Sequence, residues 1–375
     1  MRTTALLLLL AGCGEPFRSA DPLEDARSWA VEDSWIEVEL ASVSDPLLRL
    51  SDVRGVAVDS KGRIHVVDAL EGGVIVLSPG LRHLHTVGRA GMGPGEFELK
   101  QIQILPGDTL FVFDARLQRV TIIEPDDFEV VDVFPQPNWR HGPVTNLWRL
   151  ADRGRSLALV RRPFYAGEDE TADQGRTDAI LAIEEGEEAA PDTILVAPSR
   201  EFLVARGPGS VAVGTHPFGR EPFIRLIGRD RFVYANSGAL DVSIVDFTGS
   251  TVHSFSFATV AMPVTSEQLA SEAKRTSGGL ADVLRQGDPY VWPALAGLVV
   301  DEQGRIWVGV RGHQDELEWE WAAFTQDGAH AGSVRLPAGQ VVEAARDDRL
   351  YAVAHDSMDV PRIRAYQLRQ ERAGS

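Results

Sequence analysis

The chain has 375 residues, enough for two or three ordinary domains or for one large repeat domain. Its 35 glycines and 21 prolines are spread along the sequence, and the short apolar runs between them favour many short strands over helices. The net charge of −18 argues against binding to nucleic acid and against adhesion of the protein surface to anionic lipid, because both require clustered lysine and arginine.

The first residues have the features of an export signal. Arg2 precedes an apolar run, residues 5–11, that is too short to form a permanent membrane-spanning helix. Cys13 follows this run and is the only cysteine, so it has no partner for an internal disulfide. The position of this cysteine therefore requires another explanation.

The sequence LAGC, residues 10–13, resembles the lipobox of bacterial lipoproteins. The resemblance implies that residues 1–12 are a signal peptide and that Cys13 is lipidated as the first residue of the mature chain. Residues 13–33 are then a polar tether. Gly14 in place of aspartate implies the outer membrane, by similarity to enteric lipoproteins. We therefore expect the protein to be lipid-anchored in the bacterial cell envelope.

A repeat begins after the tether. Residues 56–68 (VAVDSKGRIHVVD) and 298–310 (LVVDEQGRIWVGV) share the pattern of a strand, an Asp-x-x-Gly-Arg turn and a second strand. The aspartate can start the turn by accepting backbone N–H groups, and the glycine can adopt positive φ. Weaker copies occur at residues 102–114, 149–161, 224–236 and 342–354.

Two more strand-like runs generally follow each copy, so the unit has four antiparallel strands. Six such units with no other protection of their edges predict a closed β-propeller. The last unit lacks a fourth strand, which residues 34–42 (SWIEVELAS) can supply. The predicted propeller spans residues 34–375, with blades at approximately 54–97, 99–137, 144–199, 221–260, 290–337, and 339–369 plus 34–42.

The first unit, with VAVDSKGRIHVVDA, GGVIVLSPG and HTVGRAGMGPGEF, resembles an NHL-type blade. Residues 34–369 as a whole are similar to the six-bladed propeller lipoproteins of bacterial envelopes. The resemblance implies an all-β fold of six four-stranded antiparallel blades.

The glycine-rich residues 88–97 lack the lysine and the following helix of a phosphate loop, so we interpret them as the connection between two blades.

Strand direction indicates which face carries a site. The second strand of each blade ends on the same face as the connection to the next blade. Three long excursions lie on this face, at residues 165–178, 200–221 and 265–288. Loops held by a rigid scaffold commonly carry function, so this is the predicted functional face.

The excursion at residues 265–288 has the only helical pattern. Thr265 and Gln268 fit a capping box, and Gly278 and Gly279 interrupt the pattern before a second short helix that ends near Gln286. The two helices could form a lid over the channel, or they could be a packed surface insertion.

The residues that end the second strands are expected to ring the central channel. These candidates are Asp68, Asp114, Arg161, Asn236, Arg311, His313, His355 and Asp356. Calcium would suit the carboxylates and the asparagine, and zinc would suit the histidines. The other interpretation of Asp68 and Asp114 is that they bind backbone N–H groups of a neighbouring turn.

Trp319 and Trp321 share one strand face, which indicates packing between blades or a platform for a sugar.

The sequence contains no G-x-S-x-G, H-E-x-x-H or EF-hand pattern. We therefore predict a binding module without a cofactor that presents its loop-rich face to an envelope protein, a peptide or a glycan. The alternative is a metal-dependent enzyme resembling the lactonases and lyases that use six-bladed propellers, with calcium or zinc at the central channel. The metal-ligand motifs of those families are not present in this chain.

Overall fold

Short apolar strands pair into six separate antiparallel sheets of four strands each. The structure, a computed structural model, describes residues 35–42, 50–69, 72–98, 100–135, 142–150, 154–161, 163–164, 175–184, 191–257, 261–287, 289–311 and 318–370. The sheets are the blades of a six-bladed β-propeller, so the predicted fold is confirmed.

The first strand in the chain, β1 (Trp35–Ser42), belongs to the last blade. Blade one contains β2 (Val53–Val58), β3 (Ile64–Asp68), β4 (Val74–Leu77) and β5 (His83–Val87). The connection to blade two contains β6 (Arg89–Ala90) and β7 (Glu96–Phe97), and blade two contains β8 (Lys100–Ile104), β9 (Leu110–Asp114), β10 (Arg119–Ile123) and β11 (Val130–Pro135). Blade three contains β12 (Val144–Arg149), β13 (Arg155–Arg161), β14 (Thr177–Glu184) and β15 (Asp192–Pro198).

A hairpin of β16 (Phe202–Gly207) and β17 (Ser210–Thr215) precedes blade four, which contains β18 (Pro222–Ile227), β19 (Arg231–Asn236), β20 (Leu240–Asp246) and β21 (Thr251–Phe257). Next come β22 (Met262–Pro263), helices α1 (Ser266–Arg275) and α2 (Gly279–Gln286), and β23 (Val291–Trp292). Blade five contains β24 (Leu295–Val300), β25 (Ile306–Val310), β26 (Glu318–Phe324) and β27 (His330–Pro337). Blade six contains β28 (Val341–Arg346), β29 (Arg349–His355) and β30 (Pro361–Gln370).

The ring closes through the N-terminal strand. β1 pairs antiparallel with β30, from Trp35 opposite Gln370 to Ser42 opposite Arg364. This pairing supplies the fourth strand of blade six, as the sequence predicted.

The Asp-x-x-Gly-Arg turns form as expected. Asp59 Oδ1 accepts the backbone N–H groups of Lys61 and Arg63, at 3.0 and 2.8 Å. Gly62 has a φ of +73° within this turn. The turn of blade five repeats the arrangement around Asp301.

The apolar core is divided among the interfaces between blades. One cluster of buried side chains lies between each neighbouring pair, including the pair formed by blades six and one. Between blades two and three, side-chain amides also bridge the inner strands. Gln101 accepts the Leu147 N–H at 2.9 Å, and Gln103 accepts the Arg149 N–H at 2.8 Å.

The glycine-rich residues 88–97 lead from β5 to β8, so they do connect two blades. Arg119 of β10 holds this connection in place. Its guanidinium donates to the carbonyl oxygens of Met92 and Gly93, at 2.7 and 2.6 Å.

Two of the predicted excursions pack together into one substructure, which we call the cap. It consists of the β16–β17 hairpin, α1, α2 and the β22–β23 pair. Residues 200–221 were expected to be a connecting loop, and the hairpin within them is a correction. The cap has its own apolar cluster, centred on Leu203, Phe218, Ala273 and Leu284.

The start of α1 confirms the predicted capping box of Thr265 and Gln268. At the other end of α1, Arg275 forms an ion pair with Asp359, in the loop between β29 and β30 of blade six. The cap therefore contacts blade six in addition to its chain connections to blades three, four and five. Among the described residues, no helix is long and apolar enough to cross a membrane.

Candidate functional site

The face that carries the cap also carries a pocket of about 500 Å³, which we call the cap-face pocket. It lies where the end of β15, the β16–β17 hairpin and the end of β19 meet. Its lining residues are Phe164, Gly175, Arg176, Pro198, Ser199, Arg200, Glu201, Phe202, Val204, Arg220 and Asn236. The pocket is thus built from two predicted excursions and from the end of one second strand.

Arginine and phenylalanine side chains are interleaved at this pocket. The guanidinium of Arg176 lies 3.9 Å from the ring centroid of Phe164. Phe164 meets Phe202 edge to face, at 5.4 Å between centroids, and the guanidinium of Arg161 lies 5.1 Å from the Phe202 ring. Stacking of this kind orients guanidinium groups while leaving in-plane N–H donors available.

Several arginines at or beside this pocket form ion pairs with carboxylates. Arg161 Nη2 lies 2.7 Å from Asp178 Oδ2, and this carboxylate is fully buried. Arg220 pairs with Glu201 at 2.9 Å, and Arg200 pairs with Glu221. The last two pairs are partly exposed, so they hold the side chains in place more than they stabilise the fold.

The lining residues carry three arginines and one glutamate, although the whole chain has a net charge of −18. Because Arg220 and Arg200 are already paired with Glu201 and Glu221, the described residues at the pocket have an excess of one positive charge on a negative molecule. Such a site attracts an anionic group and can contact an apolar group beside it.

Asp68 and Asp114 follow the hydrogen-bonding interpretation. Both side chains are fully buried. Asp68 accepts the N–H groups of Ser51 and Asp52, at 2.6 and 2.9 Å. Asp114 accepts the N–H of Glu98 at 2.7 Å and the N–H of Leu117 at 3.0 Å. These carboxylates fasten turns at the ends of strands.

Asn236 is the one candidate that lines the cap-face pocket, and its side chain accepts the Gly238 N–H at 3.0 Å. Arg161 lies beside the pocket, paired with Asp178 as described above.

Arg311 lies between Trp292 and Trp319, with its guanidinium 5.2 and 4.8 Å from the two ring centroids. Burial lowers the pKa of Arg311, and the charge of Glu221 opposes this effect. Trp321 is fully buried between blades five and six, which agrees with the packing interpretation.

The remaining candidates lie in blades five and six. Asp356 accepts the N–H groups of Met358 and Val360 at 2.9 and 3.1 Å and pairs with Arg362, and its pKa is lowered by these contacts. His355 is exposed, and His313 lies outside the described residues. Within the described ranges, no three His, Cys, Asp or Glu side chains are grouped so that they could hold a metal ion.

Sequence reasoning did not select Arg176, Arg200, Arg220 or Phe202. All four fall within the predicted excursions, but nothing in their local pattern marks them as a group. Residues 200–221 carry three arginines and two glutamates in a strongly acidic chain, which was a usable signal, whereas residues 165–178 carry one arginine and five acidic residues.

Comparison with known proteins supports the fold of the chain. No family model matches the chain, and no curated protein matches it. A solved structure of a Bacteroides fragilis protein described as exported is 12% identical, with a TM-score of 0.52, and the match covers 90% of this chain and 95% of that chain. A member of the DUF4221 family from Bacteroides vulgatus is 10% identical, with a TM-score of 0.51 and coverage of 90% and 99%. At such identities the similarity shows the fold alone, and by that fold the chain is a six-bladed β-propeller.

Proposed function

We propose that this protein is an envelope-anchored binding module whose cap-face pocket binds an acidic segment of another envelope protein. The observation that carries the proposal is the pocket itself, in which Arg176, Arg200 and Arg220 lie beside Phe164 and Phe202. Guanidinium groups bind carboxylates with two parallel hydrogen bonds. The phenylalanine rings add apolar contact area for a neighbouring side chain.

Co-purification from the native envelope followed by mass spectrometry tests this function. We expect R220A and F202A each to reduce recovery of the partner by about tenfold, because arginine and aromatic side chains commonly dominate binding energy. Recovery should also fall with rising salt. R82A, at an exposed arginine in the outer turn of blade one, is the matched control.

Unchanged recovery with both pocket variants would contradict the proposal, and so would recovery of a glycan without protein. Elemental analysis of the same purified protein addresses the metal-dependent alternative. A stoichiometric metal that is lost in Asn236→Ala or Asp114→Ala would favour the enzyme.

The anchor belongs to the same proposal and rests on Cys13. We expect the wild-type protein to sediment with membranes, and C13S to give an uncleaved precursor or a soluble form. Thermal unfolding of the soluble form should match that of the wild type, since Cys13 precedes the first strand of the propeller by more than twenty residues. A soluble wild-type protein with its N-terminus elsewhere would contradict the assignment.

A further inference from the structure

The central channel is a second cavity, of about 720 Å³, lined by the inner strands of the blades. The turns between first and second strands also line it, including Ser60, Asp108, Gly228 and Glu302. We call the face that carries these turns the turn face, and it lies opposite the cap. The channel therefore opens away from the cap-face pocket.

Two opposite charges line this channel. Arg225 lies on β18 of blade four, and Glu343 lies on β28 of blade six. Among the described residues, the Arg225 guanidinium makes one hydrogen bond, from Nη1 to the carbonyl oxygen of Ile224, at 3.0 Å. Within the described part of the chain, neither side chain has a salt-bridge partner within 4.0 Å. Both charges thus face the channel without neutralising each other by direct contact.

The backbone places Glu343 in this position. The pairing of β28 with β29 shifts register between Val342 and Ala344, so Glu343 is the extra residue of a β-bulge. Inner strands β2 and β24 have the same irregularity, with Arg54 and Ala296 as the extra residues. Bulges of this kind redirect a side chain out of the regular alternation. Of these three extra residues, Arg54 and Glu343 line the channel.

Burial shifts the pKa values of both Glu343 and Arg225. It raises the pKa of Glu343 to about 7, with Arg225 opposing the shift and Glu221 adding to it. Burial also lowers the pKa of Arg225, and both glutamates oppose that effect. The other charged residues that line the channel are Arg54, Asp108, Arg149, Asp301, Glu302 and Arg346. Both side chains are half-buried, and two charges of opposite sign that do not contact each other can be satisfied by one ligand that carries both charges.

We propose that the channel binds a small zwitterion, such as a free amino acid, with its carboxylate at Arg225 and its ammonium group at Glu343. Arginine supplies in-plane donors that match a carboxylate, and a carboxylate accepts from an ammonium group. This site is separate from the cap-face pocket, so either proposal can fail without the other.

Isothermal titration calorimetry of the mature protein near pH 7 with glycine and leucine tests the site. N-acetyl-leucine lacks the ammonium group and leucine amide lacks the carboxylate, and each should bind at least about tenfold more weakly than leucine. E343Q and R225Q should each weaken leucine binding by a similar factor, while R82Q should not change it.

The number of protons released or taken up when leucine binds gives a second, independent test of the site. An ammonium group beside Glu343 favours the ionised carboxylate, so leucine binding should release a proton near pH 7. Comparison of binding heats in buffers of different ionisation enthalpy measures this release, and E343Q should abolish it. A plain carboxylate ligand at Arg225 would instead cause proton uptake.

The proposal is overturned if leucine and glycine do not bind at millimolar concentration, if N-acetyl-leucine binds as tightly as leucine, or if protons are taken up. Circular dichroism establishes that each variant folds. Should R225Q not fold, E343Q and the two leucine analogues still decide the question. Partner recovery through the cap-face pocket should be unchanged in E343Q, which separates the two sites.

Discussion

Single residues show how one turn motif serves different chemistry in different blades. In blade one, Asp59 Oδ2 lies 2.5 Å from Arg63 Nε and 3.1 Å from His65 Nε2. In blade five, Asp301 Oδ2 accepts from Arg305 Nε and from the indole N–H of Trp307, at 2.5 and 3.0 Å. Besides its arginine, the buried carboxylate thus has a histidine as partner in blade one and a tryptophan, which does not ionise, in blade five.

Asp59 should make the protein sensitive to acid. Burial alone would raise its pKa, but the hydrogen bonds from His65 and Arg63 outweigh burial and hold the pKa at about 2. A folded-state pKa below the unfolded value of about 3.9 stabilises the protein at higher pH, and this stabilisation is lost as pH falls from about 4 towards 2.

We therefore expect D59N to lower the free energy of unfolding at neutral pH by about 1–3 kcal/mol and to reduce the pH dependence in that acidic range. Urea unfolding at several pH values measures both effects. D132N, at an exposed aspartate on β11, is the control. Equal pH dependence in D59N and the wild type would show that Asp59 is not responsible.

At the scale of elements, the cap is a small unit with its own core, and it contains a partly buried histidine, His216. His216 Nδ1 accepts the Phe218 N–H at 3.1 Å, and its ring meets Tyr290 edge to face at 4.9 Å. Burial lowers the pKa of His216 from 6.5, and the charge of Glu201 opposes this effect. The folded cap therefore favours the neutral imidazole.

Acidification should loosen the cap before it affects the propeller. Because the folded-state pKa of His216 is lowered, its stabilising effect is present above pH 6.5 and is lost as pH falls below that value. Hydrogen exchange in β16, β17 and α2, corrected for the intrinsic rate, should accelerate as the pH falls below 6.5. H216Q should remove this dependence, and H355Q, at an exposed histidine, should keep it. A uniform change across all blades would contradict a local effect.

The elements also show what sequence could and could not predict. The blade strands and the closing strand were predictable because alternation and the Asp-x-x-Gly-Arg turn are local signals. The β16–β17 hairpin was missed, although FLVARGPGSVAVGT has a strand, a Pro-Gly turn and a strand. The four-strand blade pattern left no place for two more strands between blades three and four.

The residues of the two cavities also differ in how clearly the sequence marked them. The pocket arginines come from separate excursions and meet only through tertiary packing, so no local pattern groups them. Arg225 and Glu343 did carry a signal, since each is the only charged residue inside an apolar stretch of an inner strand, PFIRLI and VVEAA. Asp68 and Asp114 were predicted either as ligands or as acceptors of backbone N–H groups, and the second interpretation was available because those hydrogen bonds are made close to the strand ends.

For the whole molecule, stability depends on closing the ring. β1 is joined to blade six by backbone pairing with β30 along one edge of the sheet. An open blade would expose the unpaired edge of β30 and leave the ring without its link between the two ends of the chain.

Two truncations separate the tether from the closing strand. A chain that starts at residue 35 should unfold like the mature protein. A chain that starts at residue 43 should lose at least about 3 kcal/mol, since several hydrogen bonds of about 0.5–1.5 kcal/mol each are removed. Thermal and urea unfolding measure the difference. Equal stability of the two chains would show that β1 does not close the ring.

The direction of β1 also sets how the molecule would stand on a bilayer. Trp35 lies opposite Gln370, at the turn face, and the strand then runs towards the cap face. A lipid on Cys13 would therefore pull on the turn face, through a tether of roughly 70 Å at full extension. When this tether is taut, the channel mouth would face the membrane and the cap would face away from it. An antibody against the cap should then bind the anchored protein freely, whereas one against the turns between first and second strands should be shielded by the lipid surface.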